Sequence, residues 1–301
     1  MRTIERALET NPRMIKAVKR MHSIMETADV EKQRAAQENL GGIFSKNREI
    51  EYHNFYVGTV PAEWSCVSRS HMRKYVILYC HGGGYTSGSF RYARSITNKL
   101  AASTSMDVIS FDYRLAPEAP YPAALEDALA VWDYLMYLGY GARDIIIAGD
   151  SAGGNLALTL TLKLKEQGRI LPRGLILFSP WTDLTMSGKS HKEKAEDDPI
   201  LTGEYLQRCI EGYAPKMDLK DPYLSPLFAD FSGFPPIYIQ VGTNEILLSD
   251  SLRLLKRLQE CHVSAKIESY PGMWHVFQMS PLKTAYRAMD QAAEFIYDIC
   301  R

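Results

Sequence analysis

A mostly parallel β-sheet covered by helices on both faces is the fold class this sequence predicts. Two observations predict it: short, continuously apolar segments such as "YVILYC" and "GLILF", and their regular alternation with segments of helical periodicity. Strands that read apolar without interruption are buried on both faces, and helical crossovers keep neighbouring strands parallel. With 301 residues and 46% apolar content, the chain is long enough for one large α/β domain or two ordinary ones, with a sizeable core.

Taken in order, residues 1–45 read as helical and strand-poor. Asn11 reads as an N-cap with Pro12 in the first turn, and Met14, Val18, Met21 and Met25 then fall on one face. Such a methionine stripe is ordinary packing or the adaptable lining of an apolar pocket. "EIEYHNFYV" and "EWSCVS" predict two antiparallel β segments joined through "GTVPA". Strands follow at 75–80, 107–112, 144–148, 174–178, 236–241 and 265–270, with helices near 92–103, 123–138, 154–166, 249–260 and 283–298. The alternation lapses over 185–224, a charged, proline-bounded stretch with two helical fragments at most. It is too long for a simple loop and reads as an insertion that packs with the N-terminal helices above one end of the sheet.

Composition excludes more than it selects. Lys+Arg and Asp+Glu both number 35, which gives no electrostatic case for nucleic acid or an anionic membrane. The apolar runs are too short to span a bilayer, and "MRTIERALETNPR" lacks the apolar core of a signal peptide. The cysteines Cys66, Cys80, Cys209, Cys261 and Cys300 are odd in number and scattered, so they read as reduced thiols of a cytoplasmic protein rather than a disulfide frame or zinc site.

The chemistry gathers at predicted strand ends, where open parallel sheets bind ligands. "IIIAGDSAGGN" carries G-x-S-x-G around Ser151, the pattern of a sharp strand-to-helix turn that pushes a serine into the open. By itself the motif reads equally well as a glycine-softened helix N-cap. "HGGGYTSGS", starting at His81, offers bare backbone N–H groups to a phosphate or an oxyanion. Gly83 and Gly88 have P-loop spacing, but Ser89-Phe90 follow where Lys-Ser/Thr is required, and Ser87 replaces the last glycine of the dinucleotide pattern. The oxyanion reading survives.

A serine nucleophile needs a base. His22, His53, His71, His191 and His262 read as surface residues and His81 as structural, whereas His275 in "PGMWHVF" lies on a loop past the last strand. The acid is then sought in "GTNEILLSDS", past "PIYIQV". Glu245 is favoured over Asp250, which reads as a helix cap together with Ser249, and Asp183 follows too early a strand. The order Ser…acid…His is that of an α/β-hydrolase.

With "HGGGY", "DYRLAPEAPYPAALED", "GDSAGGN", "SPWTDL" and "PGMWHVF" in this order, the chain resembles the hormone-sensitive lipase-like family of α/β-hydrolase esterases over roughly 75–280. The resemblance implies a carboxylesterase of short- to medium-chain acyl esters, with Ser151 as nucleophile, His275 as base, and the N–H groups of Gly83, Gly84 and Ala152 as oxyanion hole. It implies an α/β-hydrolase fold with a helical cap: cap helices over 1–45, core over 46–184, cap insertion over 185–224 and core again over 225–301. Met14, Met21 and Tyr85 would face the acyl group under that cap. No cofactor or metal is implied. A homodimer, formed through an edge strand or the final helix, is what many relatives suggest.

One departure stands out: the family's acid is usually an aspartate opening D-x-L, and here Glu245-Ile246-Leu247 fills that pattern. Its separation from His275 is similar to the family's usual gap. In relatives the "DYRLAPE" segment is scaffold, so Asp112, Arg114 and Glu118 are expected to brace loops through ion pairs, with Asp150 in support. Amide or lactone hydrolysis at the same triad, and a binding-only protein of this fold, are the competing readings. The plant gibberellin receptors resemble the same family and lack the histidine that His275 supplies here.

Overall fold

A computed structural model describes residues 15–16, 18–20, 29–44, 49–68 and 74–301. Asn11, Pro12, Met14, Met21, His22, Met25 and His71 therefore lie outside the described residues. The sheet has eight strands: β1 Ile50–Val57, β2 Val60–Val67, β3 Val76–Cys80, β4 Asp107–Phe111, β5 Ile145–Asp150, β6 Gly174–Phe178, β7 Ile237–Gly242 and β8 Ala265–Tyr270. Their spatial order is β1-β2-β4-β3-β5-β6-β7-β8. The β1–β2 hairpin is antiparallel, β2 runs antiparallel to β4, and the strands from β3 to β8 are parallel.

The helices are α1 Val30–Phe44, α2 Phe90–Thr104, α3 Ala123–Tyr137, α4 Ala152–Glu166, the short α5 Ser190–Glu193, α6 Gly203–Tyr213, α7 Leu248–Glu260 and α8 Lys283–Cys300. Alternate residues of each buried strand feed two cores. Leu78, Ile109, Ile147, Leu177 and Ile239 pack with Val131 of α3, Leu160 of α4 and Leu254 of α7. Ile77, Val108, Ile146, Ile176 and Tyr238 pack on the other face with Ile96 of α2 and Ile296 of α8. Each such side chain contributes about 1.5–3 kcal/mol on leaving water, so both faces of the sheet drive folding. No helix of the described residues is long and apolar enough to cross a membrane.

Register sets where the chemistry must be. Cys80 pairs with Gly149, Asp150 with Phe178, Phe178 with Gln240, and Gly242 with Tyr270. The parallel strands thus end nearly level, and the segments beginning at His81, Ser151, Ser179, Thr243 and Pro271 leave the sheet along one edge. The stretch 185–224 between β6 and β7 holds α5 and α6. Its Ile200 packs against the cluster of Tyr270, Met273, Trp274 and Phe277, as do Ile15 and Val18, which brings the described N-terminal residues over the same edge.

Candidate active site

Ser151 sits where β5 becomes α4, with φ 53° and ψ −119°. That conformation costs a non-glycine residue about 1–3 kcal/mol and persists only where neighbours enforce it. Here they do. The Ser151 N–H donates to Phe178 O at 2.9 Å, and its carbonyl accepts from Trp181 N at 3.0 Å and Asn155 N at 3.2 Å. A methyl on Gly153 would lie 2.0 Å from Cys80 O, and one on Gly149 would lie 2.4 Å from Gly153 O. The close crossing of strand, turn and helix is open only to glycine at both places. The Ser151 hydroxyl makes no cap bond to its own helix, which removes the N-cap reading.

The glycine loop is built to leave amides free. Gly83 and Gly84 have φ of 114° and 63°, and added methyls would meet Ser87 O at 2.2 Å and Cys209 Sγ at 2.5 Å. Among the described residues neither Gly83 N nor Gly84 N donates to another backbone group. Ala152 is the first residue of α4, where an N–H has no partner within the helix and the dipole is positive. Asp150 ties loop to elbow: its Oδ1 accepts from Gly82 N at 3.0 Å and Tyr79 Oη at 2.7 Å. His81 is buried, stacks on Tyr113 at 4.1 Å and has Nδ1 on Gly82 O at 2.7 Å, a structural setting.

Glu245 and His275 stand opposite each other on the two neighbouring loops, with Glu245 Oε2 3.7 Å from His275 Nδ1. Both residues are buried, and among the described residues His275 Nδ1 and Glu245 Oε1 have no hydrogen-bond partner. Ser179, the first residue past β6, bridges them: its hydroxyl donates to Glu245 Oε2 at 2.8 Å and accepts from Val276 N at 3.2 Å. The loops are also stitched directly, Asn244 N to Met273 O at 2.9 Å and Gly272 N to Thr243 Oγ1 at 2.8 Å.

Burial pushes the His275 imidazole down to about 4, against the pull of Asp198, Asp150 and Asp250. An unperturbed histidine titrates near 6.5, so desolvation holds this one well below the ordinary value. Burial likewise pushes Glu245 up to about 8, opposed by the Ser179 hydrogen bond. Burial thus disfavours the charged form of both groups. Charge developing on the ring would favour the carboxylate and close the gap.

Several side chains differ from their sequence reading. Asp250 does not cap its helix with Ser249. It accepts from Thr182 N at 2.9 Å and Asp183 N at 3.0 Å, and it faces a different histidine, His191, at 3.3 Å. His191 is correspondingly not a surface residue, with 6% side-chain exposure. Asp112 makes no ion pair among the described residues. It accepts from Phe90 N at 2.6 Å, at the first turn of α2. Arg114 and Glu118 do form ion pairs, with Asp127 at 2.8 Å and with Arg34 at 2.8 Å. Asp183 is held by Arg253 at 2.6 Å. Tyr85 is 1% exposed, stacked on Tyr213 at 3.7 Å, with its hydroxyl on Asn155 Oδ1 at 2.8 Å.

Three residues escaped sequence reasoning: Ser179, Asn155 and Asp198. Ser179 had a usable signal, since it follows a strand end as Ser151 does. Asn155 sends its amide to Trp181 O at 2.8 Å and Leu224 O at 2.9 Å, contacts without local pattern.

A family model described as alpha/beta hydrolase fold matches residues 77–279. An esterase of Acinetobacter venetianus is 42% identical over 223 residues, covering 73% of this chain and 74% of that protein. An acetyl-hydrolase of Streptomyces hygroscopicus is 34% identical over 242 residues, 80% of each. Among solved structures, an esterase from the bacterial hormone-sensitive lipase family superposes with a TM-score of 0.90 at 33% identity, covering 96% of this chain and 98% of that one.

The chain belongs to the hormone-sensitive lipase family of the α/β-hydrolase fold. It is a carboxylic-ester hydrolase. EstE5, whose crystal structure was determined after soaking with p-nitrophenyl butyrate, is a further structural neighbour of this hydrolase, with a TM-score of 0.88, 32% identity, and coverage of 96% and 99%.

Proposed function

We propose that this hydrolase cleaves short- to medium-chain acyl esters by two-step acyl transfer, with Ser151 as nucleophile, His275 as general base and Glu245 as the acid that orients it. His275 takes the serine proton as the oxygen attacks the ester carbonyl. The N–H groups of Gly83, Gly84 and Ala152 stabilise the developing oxyanion, where loss of one donor typically costs about 3–4 kcal/mol of barrier. His275 then protonates the departing alcohol, and water repeats the sequence on the acyl-enzyme.

The observation that carries this reading is the strained Ser151 turn, enforced by glycine, beside two glycine amides that donate to no other backbone group among the described residues. Such strain has no return in stability and is found where a side chain must be presented to a reactant. Residues 1–45 and 185–224 act as the cap over a core of 46–184 and 225–301. In support, α6 presses on the glycine loop, with Thr86 Oγ1 3.5 Å from Cys209 Sγ. The acyl chain lies under this cap near Tyr85, which limits its length.

The test is hydrolysis of p-nitrophenyl butyrate by Ser151→Ala. The variant should fold normally and lose at least about 10⁴-fold in kcat; retention of a tenth of the activity refutes the assignment. In a chain-length series, rates should fall from butyrate to palmitate, and flat rates would contradict the enclosed site.

A further inference from the structure

Asp198 lies in the stretch between β6 and β7, far in sequence from every catalytic motif, yet it is buried at 3% exposure. Its Oδ1 accepts from Ile200 N at 2.8 Å and Leu201 N at 3.0 Å, and its Oδ2 accepts from Ile246 N at 2.8 Å. These three backbone donors oppose the burial that pushes its carboxyl up to about 6, and among the described residues no Lys or Arg pairs with it. Ile246 directly follows Glu245. The peptide on its other side is held from the same stretch, because Ser190 Oγ donates to Ile246 O at 2.5 Å. Ser190 is buried too, and its Oγ accepts from Ser249 N at 2.9 Å.

We propose that Asp198 is a positioning residue for the acid of the triad: with Ser190 it grips the two consecutive peptides flanking Ile246 and so fixes where the Glu245 carboxyl meets the His275 ring. The proposal rests on the triad reading above and deepens it. Orienting the 245–246 peptide orients the Cα–Cβ bond of Glu245, and a small swing there moves its carboxyl relative to a ring only 3.7 Å away. Only the first of the two grips is charged. Asp198 is also the foremost of the carboxylates whose charge favours the imidazolium form of His275, ahead of Asp150 and Asp250. A residue needed for packing alone would have been cheaper to bury as an apolar one. The cap insertion thereby reaches into the catalytic core at the acid, so insertion and triad are set together.

The experiment measures kcat and KM with p-nitrophenyl butyrate for wild type, Asp198→Asn, Ser190→Ala and Ser151→Ala, normalised to folded protein by circular dichroism. Asp198→Asn should lower kcat by about tenfold or more with KM changed less than about twofold. Ser190→Ala removes only the second grip, so it should lower kcat about threefold, again with little change in KM. An Asp198→Asn protein with wild-type kcat, or one whose loss lies in KM, overturns the proposal while leaving the triad intact. If Asp198→Asn does not fold, Ser190→Ala decides, and an unchanged kcat there overturns it. Activity retained in Ser151→Ala sinks the triad reading instead, and the role of Asp198 with it.

Discussion

Around Ser151 the backbone is packed so closely that a methyl on Gly153 would lie 2.0 Å from Cys80 O, and the serine's own N–H and C=O are both bonded. Across the site, Glu245 and His275 face each other at 3.7 Å, each with a buried polar atom that has no partner among the described residues. The Ser151 turn is fixed by its own main-chain bonds. The Glu245 and His275 loops are tied by main chain as well, Asn244 N to Met273 O, but their facing side chains stop short of a hydrogen bond. Catalytic hydrogen bonds are often long before substrate arrives and tighten as charge develops, and buried polar atoms left unpaired are costly enough to make that closure favourable. The difference separates a fixed geometry from one that responds to charge.

The contrast is broken most severely at the acid. Glu245→Gln should lower kcat by about 10³–10⁴-fold, because the amide cannot stabilise the imidazolium. Asp250→Asn should cost under about tenfold, since Asp250 serves Thr182, Asp183 and His191. The reverse ranking in steady-state assays of the folded variants would move the acid to Asp250. Next in size is Gly84→Ala, which should reduce kcat by about 10²–10³-fold by displacing an oxyanion donor. Adding Cys209→Ala should restore only part of the loss, because the positive φ of 63° remains.

pH sharpens the comparison with smaller effects. The base must be neutral, and burial holds the His275 pKa at about 4. The acid limb of kcat/KM should therefore lie well below pH 6.5. The rate should climb again as Glu245 ionises near 8, and Glu245→Gln should flatten that climb. Stability should move the opposite way. The folded carboxyl of Glu245 keeps a proton that the unfolded one releases near 4.5. The native state thus binds more protons between those values, and stability falls as pH rises through them. Above pH 6.5, where unfolded histidines no longer take up protons, this loss is about 1–2 kcal/mol by pH 8.5. It should appear in thermal melts as a Tm lower by about 2–5 °C, and less so in Glu245→Gln.

The parts legible in the sequence were those written in local pattern. Apolar runs located the strands from β3 to β7 within about two residues, and paired glycines marked the Ser151 turn and the loop after β3. Glu245 could be singled out as a candidate because it follows a strand end at the right place in chain order. What stayed hidden was long-range. Asp198 meets Ile246 across 48 residues, and the His191 side chain is covered where α5 folds onto Asp250 across 59. A polar, charged stretch such as 185–224 reads as surface, and nothing local says which of its carboxylates the fold turns inward. Desolvation is equally non-local, so the downward shift of His275 could not be read from "PGMWHVF".

The most direct measurement is covalent labelling with an organophosphate ester, with the adduct mapped by mass spectrometry in wild type and in His275→Ala. An activated serine predicts a single stoichiometric adduct on Ser151, formed in step with loss of esterase activity and greatly slowed without the imidazole. Inactivation with the label on another residue, or equal labelling rates in the two proteins, would contradict the assignment of Ser151 and His275 to one catalytic unit.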